Sequence, residues 1–372
     1  MSTPGLALAR RVRRTPFTDR VEAAGVRAYS VYNRMLLPAV FEDPGADAEH
    51  LKQSVQVWDV SCQRQIEVAG PDAAWLLQYG TPRDLSGLRD DRCMYCPFVD
   101  EQGGIINDPV VMKAGPQRYW VSIADGDLGL WLAALAHGLG ADAQVHEADV
   151  YPLAVQGPQA PTLMARVFGE AVHALRFFGH RRLAFGNHEW IVSRSGYSGQ
   201  GGFEIYVDAA EAAEPLWDAL MAAGADLGVR AGGPSTIERI EAGLLSYGND
   251  LTPHETTPYD CGLEHLCDLD TQPRCIGDAA LRALADAPPR RSIVGLLIAA
   301  PEAGDCRAPW PVTATTGVVG QVTSAAWAPA RGNTVALAQL QADHLVPGTR
   351  VTVHTPAGER AAQVVPLPMP AS

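Results

Sequence analysis

The sequence predicts an α+β body followed by a small all-β terminal domain, and three observations carry that prediction. Through residue 285 or so, alternating apolar runs are interleaved with stretches of helical period. A proline pair, Pro288-Pro289, then interrupts the chain. Beyond it come short strand-like runs separated by Gly and Pro turns. At 372 residues there is room for about two or three domains. A hydrophobic content of 47% with 19% charged residues marks a globular chain rather than a disordered one.

Taken in order, residues 1–35 mix arginines with small residues and are expected to lie over the surface before the first core element. Alternation from Trp58 to Val68 reads as one strand, ended by Gly70-Pro71, with a helix over Ala73 to Leu77. Ile105 to Lys113 and Tyr119 to Ala124 read as strands joined by the turn Ala114-Gly115-Pro116-Gln117. Leu128 to Leu139 has a helical pattern, and Arg182 to Arg194 folds as a hairpin about Gly186-Asn187. The glycine-rich bend Ser195 to Gly202 leads into a strand from Phe203 to Val207. Ser235-Thr236-Ile237-Glu238 is a capping-box pattern opening a helix through Leu244. No repeat of 20–50 residues is present. The expected domains are 1–285, a linker at 286–291, and 292–372.

Composition narrows the function. The net charge of −13 argues against a nucleic-acid partner, whose phosphates are held by dense Lys and Arg. The most apolar run, Ile293 to Ala300, is far short of the roughly 18 residues a membrane span needs. Lys52 and Lys113 are the only lysines, and no phosphate-binding G-x-x-x-x-G-K-[ST] loop occurs. Seven scattered cysteines form no disulfide framework. Cys261, His265 and Cys267 with His254 match no usual zinc spacing, so no metal is expected. Arg10 to Arg14 is basic, but no apolar segment follows to make a secretory signal, which leaves the cytoplasm as the expected compartment.

Three segments place polar groups where chemistry could sit. On a strand from Ile105 to Lys113, Asp108 shares a face with Ile106, Val110 and Met112, so its carboxylate is either paired or shifted in pKa. The bland alternative is an aspartate closing a turn after Gly103-Gly104. Pro109 cannot donate to a ladder and marks an edge or bulge. Glu204 and Tyr206 share the side opposite Phe203, Ile205 and Val207; they either recognise a flat, hydrogen-bonding ring or lie on a solvated strand face. Arg239, Gly243 and Tyr247 fall at i, i+4 and i+8 on one helix face, with a surface salt bridge from Arg239 to Glu238 or Glu241 as the alternative.

The segments together say more than each alone. The runs Gly103-Gly104-Ile105-Ile106-Asn107-Asp108, Val155-Gln156-Gly157-Pro158, Arg194-Ser195-Gly196-Tyr197, Gly202-Phe203-Glu204, Arg239-Ile240-Glu241-Ala242-Gly243 and Tyr247-Gly248-Asn249-Asp250 stand in register. In this order the chain resembles the folate-dependent aminomethyltransferase family, which includes the T-protein of the glycine cleavage system. The resemblance extends to Val322-Thr323-Ser324 and Ala336-Leu337-Ala338, near the C-terminus. It implies an α+β, three-lobed, aminomethyltransferase-like folate-binding fold with a C-terminal β-barrel domain. Further runs are similar to the branch that demethylates dimethylsulfoniopropionate: Tyr32 to Pro38, Val57 to Val60, Asn107 to Val111 and Ser122 to Asp125.

By resemblance, Asp108 is the catalytic carboxylate beside the reacting part of tetrahydrofolate. Glu204 holds the pterin, taking two hydrogen bonds from its amino-pyrimidine edge. Tyr95 and Phe178 lie along the folate, with core packing as the alternative for Phe178, and Arg239 and Tyr247 line its pocket. Ser122, Tyr197 and Tyr206 are expected on the methyl-donor side. No metal or flavin is implied, and the donor is a small sulfonium or other onium compound. Two departures bear on it. The glycine loop reads Ser195-Gly196-Tyr197-Ser198-Gly199-Gln200-Gly201-Gly202, where the demethylating branch has Trp for Tyr197 and Lys for Gly199. The run Asp59-Val60-Ser61-Cys62-Gln63-Arg64-Gln65 differs from the D-V-S-H-M-G of T-proteins, and with the acidic charge this argues against a carrier-protein partner. A betaine or N-methyl amine demethylase and a glycine-cleavage-type aminomethyltransferase are the alternative activities.

Overall fold

Two sheets face each other across a shared apolar layer, and a closed barrel docks beside them. The computed structural model describes residues 8–271, 273–287, 290–299, 303–304 and 306–370. The larger sheet has six strands in the order His180–Phe185, His188–Ser193, Gly202–Val207, Tyr151–Gln156, Gln56–Asp59, Arg230–Gly232. Only the last pair is parallel. Phe203, Ile205 and Val207 point from it into the main core, against helices Ala160–Phe168 and Ala213–Ala223. The smaller sheet runs Gln144–Glu147, Gln65–Ala69, Arg118–Ser122, Val110–Gly115, Cys93–Tyr95, and helices Ala73–Gly80 and Leu128–Leu139 cover it. Between the sheets pack Cys93, Met112, Ala114 and Trp120 from one side and Ile191 and Tyr206 from the other.

The C-terminal strands close a six-stranded barrel from Arg291–Ile298 to Gly358–Val365, filled by Leu296, Val312, Val322, Leu340 and Val353. Pro288-Pro289 of the expected linker lies outside the described residues; Asp286-Ala287 follow helix Asp278–Ala285.

Four expectations need correction. Residues 1–35 do not merely cover the surface: Phe17 and Val21, one helical turn apart, are buried in the main core. Trp58 to Val68 is two strands in different sheets; Asp59 accepts the Ser61 N–H at 3.1 Å and a turn closes from Gln63 N–H to Val60 carbonyl. Ile105 to Lys113 is likewise broken, into Ile105–Asn107 and Val110–Gly115, with Asp108-Pro109 at the break. Ile106 consequently packs with the smaller sheet's helices, whereas Val110 and Met112 face the other sheet. The helix from Thr236 ends at Ala242, because Gly243 takes a left-handed φ of +72°. Tyr247 therefore lies beyond it, and Ser235 makes no side-chain cap.

Candidate functional site

The strand break places Asp108 between Ile105–Asn107 and Val110–Gly115. Oδ2 accepts the Tyr95 hydroxyl at 2.8 Å, and the buried Oδ1 has no partner. Burial pushes the carboxyl up to about 7, against a downward pull from the Tyr95 bond. Tyr247 donates to the Ile106 carbonyl at 2.5 Å, which fixes it beside the same break. Tyr197 donates to the Leu245 carbonyl at 2.6 Å. Tyr32, Tyr95, Tyr197 and Tyr247 all lie within electrostatic reach of Asp108, and burial raises the pKa of each phenol. A carboxylate bonded to one tyrosine, with three more nearby, suits a cationic centre.

Glu204 is buried on the Gly202–Val207 strand, opposite the core-facing Phe203 and Ile205. Its Oε2 meets the Ser195 hydroxyl, which lies 2.9 Å from that of Ser193, and Tyr206 hydrogen-bonds the carboxylate as well. Burial raises its pKa, against those bonds. Ser193 in turn lies 3.4 Å from the Cys93 thiol, two residues from Tyr95. This chain of contacts links the Glu204 end of the site to the Asp108 end. Phe178 sits beside it with φ +57°, stacked on Phe177 at 4.4 Å and hydrogen-bonded through its backbone to Arg194 and Cys93.

Arg239 is not on a surface and pairs with neither Glu238 nor Glu241. Its Nη1 donates to Asp250 at 2.8 Å and its Nη2 to Ser324 of the barrel at 2.7 Å. Tyr206 and Ser122 lie beside Glu204, at its end of the site. Tyr206 is 1% exposed against Trp120, and its hydroxyl contacts Glu204 and Ser122. Ser122 accepts from Gln65 at 2.8 Å. The strand alternation was legible; that the second sheet would cover this face was not. His254 turns to Asp100 at 3.1 Å and His265 to the Gly262 carbonyl, and among the described residues no metal-holding cluster forms. A cleft of about 380 Å³ lined by Lys113, Gly115, His180 and Arg182 lies elsewhere and holds none of these candidates. Asp250, Ser193 and Tyr32 were missed as individual residues. Asp250 and Tyr32 lay within matching runs, while nothing in the local pattern singled out Ser193.

Residues 17–271 match the GCVT N-terminal domain and residues 291–369 the glycine cleavage T-protein C-terminal barrel domain. The chain belongs to the glycine cleavage T-protein family. Within that family it is 52% identical, over 96% of its length and 97% of the relative's, to the dimethylsulfoniopropionate demethylase DmdA of Ruegeria pomeroyi. It is 30% identical to an aminomethyltransferase of Saccharopolyspora erythraea, covering 96% of this chain and 97% of that one. The crystal structure of the glycine cleavage system aminomethyltransferase T from Bartonella henselae superposes with a TM-score of 0.85 at 26% identity, covering 96% and 98% of the two chains. The three-lobed T-protein fold expected from the sequence, with its terminal barrel, is the fold observed.

Proposed function

We propose that this member of the T-protein family moves a methyl group from dimethylsulfoniopropionate to N5 of tetrahydrofolate, giving methylmercaptopropionate and 5-methyltetrahydrofolate. The observation that carries the reading is 52% identity over nearly the whole chain to a demethylase of that compound. The residues fit the folate: an orphaned Asp108 oxygen awaits a donor, and the buried Glu204 carboxylate can accept further bonds beside that from Ser195, as a pterin supplies. When bound, tetrahydrofolate supplies the secondary amine that takes the methyl.

Glu204 binds the pterin edge, and Tyr95, Phe178, Arg239 and Tyr247 shape the pocket. Asp108 stabilises the positive charge that develops near Oδ1 and holds the proton released there. Tyr197 walls the donor cation, and Ser122 and Tyr206 act from behind by fixing Glu204. A sulfonium leaves as a neutral thioether, so positioning does most of the work, on the order of 7–11 kcal/mol. The reading needs no metal, flavin, nucleic acid or carrier protein, and it places the enzyme in the cytoplasm. Among the described residues no helix is long and apolar enough to cross a membrane. It also keeps 1–285 as a two-lobed catalytic region, 286–291 as linker and 292–372 as the barrel domain.

Tyr197 and Gly199 favour a second reading, demethylation of a betaine or N-methyl amine, or aminomethyl transfer. At Gly199 φ is +70° and a Cβ would fall 2.7 Å from that of Ala242, so a lysine here would force the loop to shift. Incubating the protein with tetrahydrofolate and each donor, with mass spectrometry of the methylated folate, separates these. Preference for an ammonium donor replaces the sulfonium; failure to bind folate removes the whole reading.

A further inference from the structure

The Ala28–Tyr32 and Met35–Val40 strands form a ribbon that pairs with no other strand among the described residues. Tyr32 pairs directly with Met35, leaving Asn33-Arg34 as a two-residue turn in which both φ are positive, +49° and +62°. Such a turn suits the twist of a hairpin, but positive φ is costly for arginine, whose Cβ crowds the backbone. The tip is held in place from outside the ribbon. Asn33, 4% exposed, donates its main-chain N–H to Asp125 Oδ1 at 2.8 Å. Its Nδ2 donates to the Cys62 and Ala124 carbonyls at 2.9 and 3.1 Å, and its Oδ1 accepts the Gly126 N–H at 3.0 Å. The Arg34 carbonyl accepts the Arg13 N–H at 2.7 Å.

Met35 and Leu36 already bury the ribbon's second strand; the five contacts at its tip also secure the residue before the turn. Tyr32 packs in one cluster with Tyr95 and Tyr247 and stands within electrostatic reach of Asp108 and Tyr197. The Asp125 main chain lies near the Tyr32 hydroxyl. No acceptor among the described residues takes its proton. Arg239, a buried cation, directs three of its five N–H donors to Asp250, Ser324 and the Leu244 carbonyl. A carboxylate arriving beside Asp108 needs a donor, and the Tyr32 hydroxyl is a neutral one.

We propose that Tyr32, aimed by the Asn33-Arg34 turn, determines donor specificity: its hydroxyl donates to the carboxylate of an onium acid while its ring helps wall the cation. This rests on the reading that the site takes a methylated onium compound. The test compares dimethylsulfoniopropionate with trimethylsulfonium, which has no carboxylate, in the wild type and in Tyr32→Phe. The ratio of kcat/KM for the two should fall about 10-fold or more in the variant, chiefly through KM for the acid. Asn33→Ala, which keeps the tyrosine and removes the three side-chain anchors, should lower the same ratio.

An unchanged ratio in Tyr32→Phe overturns the inference. So does loss of calorimetric tetrahydrofolate binding in that variant, which would make the hydroxyl structural. If the wild type turns over only ammonium donors, the proposed substrate falls, but the same ratio taken with glycine betaine and tetramethylammonium still decides on Tyr32. A wild type that binds no onium acid removes both.

Discussion

Asp108 sets a pH signature that can be read without any ligand structure. Burial lifts its pKa to about 7, so the base form in which it can accept a proton is reached only near neutrality. We expect kcat/KM to climb with pH to about 7 and then level, and Asp108→Asn to abolish that limb while lowering kcat about 10²–10⁴-fold. The same shift bears on stability. The native carboxyl keeps its proton between its ordinary value and about 7, so the stability it contributes is complete at low pH and is lost as pH rises through that window. Asp108→Asn should therefore raise the melting temperature by about 2 °C or more at pH 8 and have less effect at pH 4, read by calorimetry. Glu204→Gln works on the other end of the site: folate affinity by titration calorimetry should fall about 10-fold or more, with kcat at saturating folate far less changed.

At the scale of elements, the Gly202–Val207 strand positions Glu204 through its pairing with Tyr151–Gln156. Gly202 has φ +155°, and a Cβ there would fall 2.4 Å from the Val155 carbonyl. Gly202→Ala should cost about 2 kcal/mol or more in urea unfolding and weaken folate binding with it. This strand, the hairpin before it and the Leu128–Leu139 helix were legible because period, turn residues and glycines agree there. Trp58 to Val68 and Ile105 to Lys113 misled because alternation continues across both breaks; a change of sheet leaves no mark on the period. Asp108 and Glu204 stood out as carboxylates in apolar strands, but their partners lie on other elements or in the glycine-rich bend, Tyr206 excepted. Tyr95 reaches Asp108 only once Cys93–Tyr95 pairs with Val110–Gly115, and Arg239 finds Asp250 beyond the end of its helix. Local spacing cannot announce such pairings.

Across the whole molecule, Asp250 joins the catalytic lobes to the barrel. Oδ2 accepts from Arg239 and from the Ser246 N–H at 2.9 Å; Oδ1 accepts from the Thr323 and Ser324 hydroxyls, both at 2.6 Å. The bulge between Val322 and Ser324 lets both hydroxyls turn the same way. Arg239→Ala should cost about 3 kcal/mol in equilibrium unfolding, because Asp250 keeps its buried charge without its counter-ion. The two-stranded ribbon that carries Tyr32 has a different, evolutionary consequence. Its strands belong to neither large sheet, so mutations there need not disturb the strand that carries Glu204. A lineage that inherits this architecture can change its diet of methylated compounds by editing one hairpin, leaving its one-carbon chemistry as it was.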